Sequence, residues 1–492
     1  MMDFKGMSDY FTGKKRWILI ALFSLALAVV VLPVIFSCGY TYLCEDDFSF
    51  EAGARDLVLR YGNIYIGAAH RMVEYYDTNQ GTFLFNYLMS ALMMYTRGGL
   101  PLFHIFMMLV TTAFCLSLFN LIRIIAKDIT ASLGIFLALS VTFFGMANTY
   151  AGREIFQWYT GMLNFLIELT LSFIAVSFSI SYIRYGKIKH AVMGMIIGFF
   201  ASGGALNVTA SNVGWQLAVL ILAYPVLKEK KGAVMTFAGS LAGAILNAVA
   251  PGNFNRLDNQ VAPLYVGFKH TLFSVLSDDK ILLSSHVFRA AMMVIFFVCI
   301  IMKIEVIKGK VSGVMMMIVL AGTCLVRYFT MFPLAYSNEV YDIMSLNMRM
   351  IASYEIVAKL SYALLVAVFA QWIREHFEKK ADYAAFAALA IGLLALIITW
   401  PATKAEVKDG MSFSLASDFA DGSMKESYTA REYIISSLEL AEAGTDATIY
   451  VPEFKFAESM YGMGLGEDCN EFVNRSAAGL FRLNSVSVIY ED

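Results

Sequence analysis

Long apolar runs, each bounded by charged or polar connections, occupy the chain from residue 17 to residue 400. A helical run of about 20 apolar residues matches the hydrocarbon core of a bilayer, where only helices and closed barrels satisfy every backbone polar group. The pattern predicts spans at 17–37, 100–125, 131–147, 161–183, 190–206, 213–227, 233–250, 286–304, 313–332, 351–372 and 383–400, about eleven in all. A shorter run at 83–95 holds about 13 residues, too few to cross, and reads as a re-entrant or interfacial helix. Counting it as a span would invert every later connection. The first run follows Lys14, Lys15 and Arg16, is long for the apolar core of a signal peptide and lacks a small-x-small cleavage site. It reads as an uncleaved signal anchor.

The connections alternate in charge. One set carries Lys14, Lys15 and Arg16, then Arg123 and Lys127, Arg184, Lys187 and Lys189, Lys228, Lys230 and Lys231, Lys303, Lys308 and Lys310, and Arg374, Lys379 and Lys380. The positive-inside rule makes this set cytoplasmic, with the N-terminus. The other set, 38–99, 148–160, 207–212, 251–285, 333–350 and the tail from about 401, then falls outside without adjustment of parity. The expected protein is an all-α polytopic bundle in the cell membrane, residues 1–400, with an extracytoplasmic domain at 401–492.

Composition changes this picture little. Hydrophobic residues make up 59% of the 492 and charged ones only 15%, against roughly 45–50% and 25% in soluble domains. The formal net charge of −2 gives no argument for a nucleic acid, which is not among the expected partners. The tail stands apart: it holds 16 Asp and Glu against 7 Lys and Arg. Alternation at 447–451 and 485–490 reads as strands and 427–443 as an amphipathic helix, so the tail is expected to be a small α/β unit. The six cysteines are too few and scattered for a disulfide scaffold. Cys115, Cys299 and Cys324 sit in apolar runs, whereas Cys38 and Cys44 flank the first external segment and can pair if that side is oxidising. Asn207 and Asn474 head external glycosylation triplets, which also arise by chance.

Three segments carry candidate chemistry. Glu45, Asp46 and Asp47 follow the outer end of the first span. Such a cluster can act as a general base, bind a divalent cation, or remain a hydrated helix-capping run. In the second, Arg153, Gln157, Gly161, Asn164 and Glu168 share one face if 150–168 is a continuous helix. A carboxylate as deep as Glu168 costs about 2.5–3.5 kcal/mol on insertion scales, so this face should line the bundle interior or a hydrated cavity. Trp158 and Tyr159 beside it also suit an interfacial belt. The third is Pro251, Gly252, Asn253, Asn255 and Arg256, where Pro-Gly stops a helix and exposed backbone N–H groups beside Arg256 suit an anion as well as a simple turn. Arg327 and Arg349 are two further external cations which, with Arg256, would suit a lipid phosphate. There is no P-loop, zinc-binding histidine pair, paired CxxC or GxSxG elbow.

Taken together, the acidic pair Asp46-Asp47 after the first span, the 153–161 block and Pro251-Gly252-Asn253 with Arg256 resemble the GT-C glycosyltransferases, which use polyprenyl-phosphate sugars. The likeness is nearest to an uncharacterised bacterial family of multi-pass proteins placed near them. Val451-Pro452 and the closing 484–488 stretch are similar to that family's end. Glu45 is an extra acid beyond the family pattern. The resemblance implies a GT-C helical bundle with amphipathic helices in the first external loop, 61–76 among them. It implies transfer of a sugar from a polyprenyl-phosphate carrier to an envelope glycan or glycolipid, with inversion. Asp46 or Asp47 would be the base, Arg256 and Arg349 would stabilise the leaving phosphate, and Trp158, Glu154, Gln157, Arg153 and Asn253 would bind substrate. A divalent cation, magnesium or manganese, is optional. Two other classes fit less of the pattern: a transporter or flippase of lipid-linked saccharides, and a non-catalytic envelope assembly protein that binds a partner through its acidic tail.

Overall fold

The computed structural model describes residues 13–146, 149–223, 231–255, 263–338 and 342–491. Six helices are long and apolar enough to cross a membrane: Arg16–Tyr40, Met94–Ala126, Tyr159–Tyr185, Gly313–Ser337, Met348–Phe377 and Lys380–Ile398. A bent pair, Leu264–Ser284 and His286–Ile301, broken at 80°, raises the number to seven if it counts as one span. This is the architecture of an all-α membrane protein. We label the helices used below α1 (Arg16–Ser37), α2 (Asp46–Tyr61), α3 (Ile64–Thr78), α4 (Phe83–Leu92), α5 (Met94–Ala126), α6 (Ile129–Phe144), α7 (Thr149–Phe156) and α8 (Tyr159–Tyr185). Next come α9 (Ile188–Phe200), α10 (Leu206–Leu222), α11 (Ala233–Ala248), α12 (Pro251–Asn255), α13 (Leu264–Ser284), α14 (His286–Ile301), α15 (Gly313–Asn338) and α16 (Met348–Ile398).

Among the described residues each expected apolar run is mostly helical, but not all form full-length spans. The runs expected at 131–147, 190–206, 213–227 and 233–250 form α6, α9, α10 and α11, of 16, 13, 17 and 16 residues. At 1.5 Å per residue these are roughly 20–26 Å long, short of a hydrocarbon core of about 30 Å. The expected span at 286–304 is one arm of the bent pair. Helix α4 has ten residues and buries Phe83, Phe85 and Met89, so it reaches only about halfway across such a core.

Residue type decides which faces meet lipid and which meet protein. Helix α1 exposes Leu22, Leu25, Val29 and Phe36 and buries Leu27, Val31 and Val34. The short helices α9 and α11 pack backbone against backbone: a Cβ added at Gly239 would lie 2.3 Å from the Met195 carbonyl oxygen, and one at Gly243 the same distance from that of Phe199. Small residues permit such close approach where lipid supplies no hydrophobic drive between helices.

Among the described residues, several basic connections meet at one end of the bundle. There Arg16 pairs with Asp128 (2.6 Å) and Lys127 with Glu305 (3.8 Å), while Arg184 and Arg374 donate to the carbonyls of Ile125 (3.2 Å) and Ile304 (3.0 Å). At the other end lie residues 38–61, α7, the start of α16 and the tail.

The tail forms α17 (Trp400–Lys408), α18 (Met411–Ala420), α19 (Ser423–Leu440), β1 (Asp446–Val451), α20 (Phe472–Phe481) and β2 (Ser485–Tyr490). The strands pair in parallel, from Asp446 opposite Ser485 to Val451 opposite Tyr490. Ile449, Val451, Val486 and Val488 turn inward, as period-two alternation requires. The tail is clamped to the first loop: Arg55 donates to the carbonyls of Leu480 (2.7 Å) and Gly479 (3.0 Å), and the Tyr42 hydroxyl to that of Tyr428 (2.9 Å).

Cys38 and Cys44 do not pair. Both thiols are free and buried: Cys38 Sγ lies 3.3 Å from Thr111 Oγ1 and from the Phe156 carbonyl, whereas Cys44 donates to its neighbour Tyr42 (3.1 Å). Nor are the two glycosylation triplets accessible, because the Asn207 and Asn474 amides are buried, bonded to Ser353 Oγ (2.8 Å) and to the Gly466 carbonyl (2.6 Å).

Candidate functional site

The acidic run folds into two unlike environments. Glu45 precedes α2 at φ 49° and ψ −119°, a region non-glycine residues rarely enter and which costs on the order of 1–3 kcal/mol. Asp46 and Asp47 then occupy the first turn of α2, where the positive end of the helix dipole favours carboxylates. Asp47 points inward and has no exposed surface. Its Oδ1 accepts from the Thr160 backbone N–H (2.9 Å) and hydroxyl (2.6 Å), and its Oδ2 from the Cys44 N–H (3.0 Å). Burial pushes its carboxyl up to about 7, against the opposing pull of those three donors. Asp47 therefore anchors the start of α2 to the head of α8.

Asp46 and Glu45 are half-buried. Burial and the neighbouring charge of Asp46 raise the Glu45 carboxyl above its ordinary range; Arg349 opposes the rise, and Glu154 and Glu471 add to it. These five charged groups, drawn from the first loop, α7, α16 and the tail, thus lie within electrostatic reach of one another.

The second predicted segment supplies the opposite wall. Glu154 Oε2 accepts from the Arg349 backbone N–H (3.0 Å) and lies 3.7 Å from its Nη1. The Arg349 guanidinium stands over the Trp158 ring, 5.0 Å from its centroid. Trp158 stacks on Tyr461 of the tail, with centroids 5.5 Å apart and planes at 20°. Gln157 holds the tail in register: its Oε1 accepts from the Tyr461 N–H (3.0 Å) and its Nε2 donates to Ser37 Oγ (3.3 Å). Arg153 Nη1 donates to the carbonyls of Glu458 (2.8 Å) and Met460 (3.4 Å).

The helix expected to continue through 150–168 does not. Helix α7 ends at Phe156, Trp158 is extended at φ −104° and ψ 121°, and α8 opens with a π-helical turn at Met162–Leu166. The polar stripe is therefore divided. Arg153, Glu154, Gln157 and Trp158 belong to the site at the end of the bundle, while Asn164 and Glu168 stay within the bundle. Glu168 is fully buried, and a Cβ at Gly204 would fall 2.1 Å from its Cγ. It faces the protein interior rather than an open cavity.

The tail residues had no signal in the sequence. The Glu45 N–H donates to the Met463 carbonyl (3.1 Å). Gly464, at φ 77°, brings bare backbone against the Glu45 carboxylate, where a Cβ would lie 2.8 Å from Oε1. Residues 458–464 thus form a strap over the acidic end of α2, with Tyr461 as its aromatic contact.

Other predicted members lie elsewhere. Asn253, on α12, accepts from the Gly81 N–H (2.9 Å) and donates to the Asn247 carbonyl (2.6 Å), so its amide clamps the turn before α4. Arg256 lies outside the described residues. Arg327 is committed to Asp279 and stands 4.6 Å over the Tyr362 ring, which removes it from the set available to a lipid phosphate. Among the described residues no group of three or more His, Cys, Asp or Glu side chains is arranged to hold a metal ion. No protein-family model matches this chain, and neither does any curated protein.

Proposed function

We propose that the protein is a membrane glycosyltransferase that moves a sugar from a polyprenyl-phosphate carrier to a hydroxyl of an envelope glycan or glycolipid on the non-cytoplasmic face. The observation that carries the reading is the meeting of Glu45, next to half-buried Asp46, with the Glu154–Arg349 pair, beside the Trp158–Tyr461 stack, at one end of the bundle. Asp46, rather than the sequestered Asp47, is the base. It accepts the proton as the acceptor oxygen attacks the anomeric carbon. The bond from that carbon to the phosphate oxygen breaks, the electron pair leaves with the lipid phosphate, and the anomeric centre inverts. A positioned base of this kind contributes typically about 10²–10⁴-fold. Arg349 offsets charge on the departing phosphate, joined in this reading by Arg256. Glu154 offers hydrogen bonds to the sugar's hydroxyls, whereas Trp158 and Gln157, expected from the sequence to touch it, are buried against Arg349, Tyr461 and Ser37 and instead hold the wall in place. Arginines suffice for a monophosphate leaving group, so a magnesium or manganese ion is optional.

A transporter of lipid-linked saccharides is the second reading. It is favoured by the 80° break between α13 and α14 and by the π-helical turn in α8, since broken helices line many transport sites. The purified chain in lipid vesicles with radiolabelled polyprenyl-phosphate sugar and envelope acceptor separates the two. The transferase reading expects labelled glycan from the wild type and a loss of about 100-fold or more in Asp46→Asn. Label crossing the vesicle with no covalent product would replace it with the transporter.

A further inference from the structure

At the end of the bundle away from Asp46, six helices leave a cavity of about 840 Å³. Its walls are almost wholly apolar, among them Ile135, Phe173, Val176, Ile295, Ala363 and Leu364. Such a volume falls within the range of roughly 300–1,000 Å³ seen for small-molecule sites. A dry apolar void forfeits dispersion contacts along its whole lining, and water gains nothing by entering it. The chemistry of these walls therefore asks for a hydrocarbon chain.

The mouth has a different character. Lys127, Arg184, Glu305 and Lys308 line it. Lys127 and Glu305 stand 3.8 Å apart with side chains 58% and 45% exposed, a pair worth little in water. Arg184 spends Nη2 on the Ile125 carbonyl (3.2 Å), and Lys308 is exposed. Among the described residues two cations thus remain in excess at the rim. Trp215 adds a donor from the wall, its indole Nε1 buried without a hydrogen-bond partner. Apolar depth, one indole donor and a cationic rim match an amphiphile with an anionic head.

We propose that this cavity is a binding site for one anionic phospholipid of the adjoining leaflet, with an acyl chain among the helices and the phosphate between Arg184 and Lys308. The bound chain completes the packing of α5, α8, α10 and α16, which line the cavity. The site is independent of the transfer reaction, being built from other residues at the other end of the molecule.

Native mass spectrometry of the detergent-solubilised full chain tests this. The probes are phosphatidylglycerol, phosphatidylcholine of the same chains, and a polyprenyl phosphate. One phosphatidylglycerol retained per chain is expected, with phosphatidylcholine washed away. Lys308→Glu, on the exposed rim, should lower phosphatidylglycerol retention by at least about fivefold, the value of a single cation near a lipid phosphate. Ala363→Trp, which fills the cavity, should abolish it. Equal retention of both phospholipids, retention unchanged in Lys308→Glu, or stoichiometric replacement by the polyprenyl phosphate would each overturn the assignment. Lys308→Glu decides the matter if Ala363→Trp fails to accumulate.

Discussion

Arg349 and Lys359 stand on the same helix, α16, in unlike company. Around Lys359 the charges close on themselves: Glu355 lies 2.8 Å away, with side chains only 5% and 15% exposed. Nearby, Arg327 pairs with Asp279, which also accepts from the Tyr362 hydroxyl (2.7 Å). Asp278, buried beside them, has neither carboxylate oxygen bonded. Around Arg349 the arrangement is looser. Its guanidinium is 3.7 Å from Glu154 and a third of its side chain is exposed. The residues it faces come from three distant stretches of sequence. The same side-chain types thus serve two ends. Inside the bundle, desolvation favours close pairs such as Lys359–Glu355 and Arg327–Asp279, which resist change. Around Arg349 the looser pair leaves the guanidinium partly exposed to solvent.

The sharpest way to break that contrast is to remove one arginine from each group. Arg327→Ala leaves the largely shielded Asp279 with only the Tyr362 hydroxyl as its partner in place of an ion pair, and should cost up to about 3 kcal/mol, seen as a large drop in detergent melting temperature or in membrane accumulation. Arg349→Ala should change stability by less than about 1 kcal/mol while depressing transfer. Equal thermal losses in the two variants would erase the distinction.

The two neighbouring aspartates sharpen the contrast through pH. Burial keeps Asp47 protonated until about pH 7, whereas its carboxyl titrates near 3.8 when unperturbed. Between those values the unfolded chain has released a proton that the folded protein keeps. The stabilising difference is full below about pH 3.8 and is lost as pH rises through about 7. Melting temperature should therefore fall across that window, and Asp47→Asn should flatten the fall. A profile identical to wild type in Asp47→Asn would place the titration elsewhere. The smallest effect concerns the strap: Tyr461→Ala removes the stack on Trp158, worth about 0.5–1.5 kcal/mol, and should hasten proteolysis within 458–464 with the bundle intact. Unchanged cleavage would mean that the strap does not depend on this contact.

What was legible in the sequence was local. Apolar runs dictate helices because unpaired backbone cannot persist in lipid, and even the shortness of α4 is visible in its composition. The clustering of the acidic run with 153–158 follows from charge alternation, which puts both on one side of the bundle. The rest depends on contacts that no window contains. Asp46 and Asp47 differ by one step of about 100° around a helix, and only packing against Thr160 decides which is sequestered. The break at Gln157 and Trp158 has no proline or glycine of its own to announce it. Tyr461 lies some 300 residues from Trp158, so the strap that completes the site left no trace in the pattern. Arg327 and Arg349 looked alike as cations near outer helix ends; tertiary pairing with Asp279 separated them.

The account rests on the tail strap lying across the start of α2, and one cross-link tests that directly. The hydrogen bond between the Glu45 N–H and the Met463 carbonyl, at 3.1 Å, joins the two backbones directly, the closeness that a disulfide needs. In a background with the six native cysteines replaced, Glu45→Cys with Met463→Cys should oxidise to a cross-linked species in intact membranes, detected by gel mobility after proteolysis between the two sites. Both thiols remaining alkylatable under oxidising conditions would contradict the assembled site.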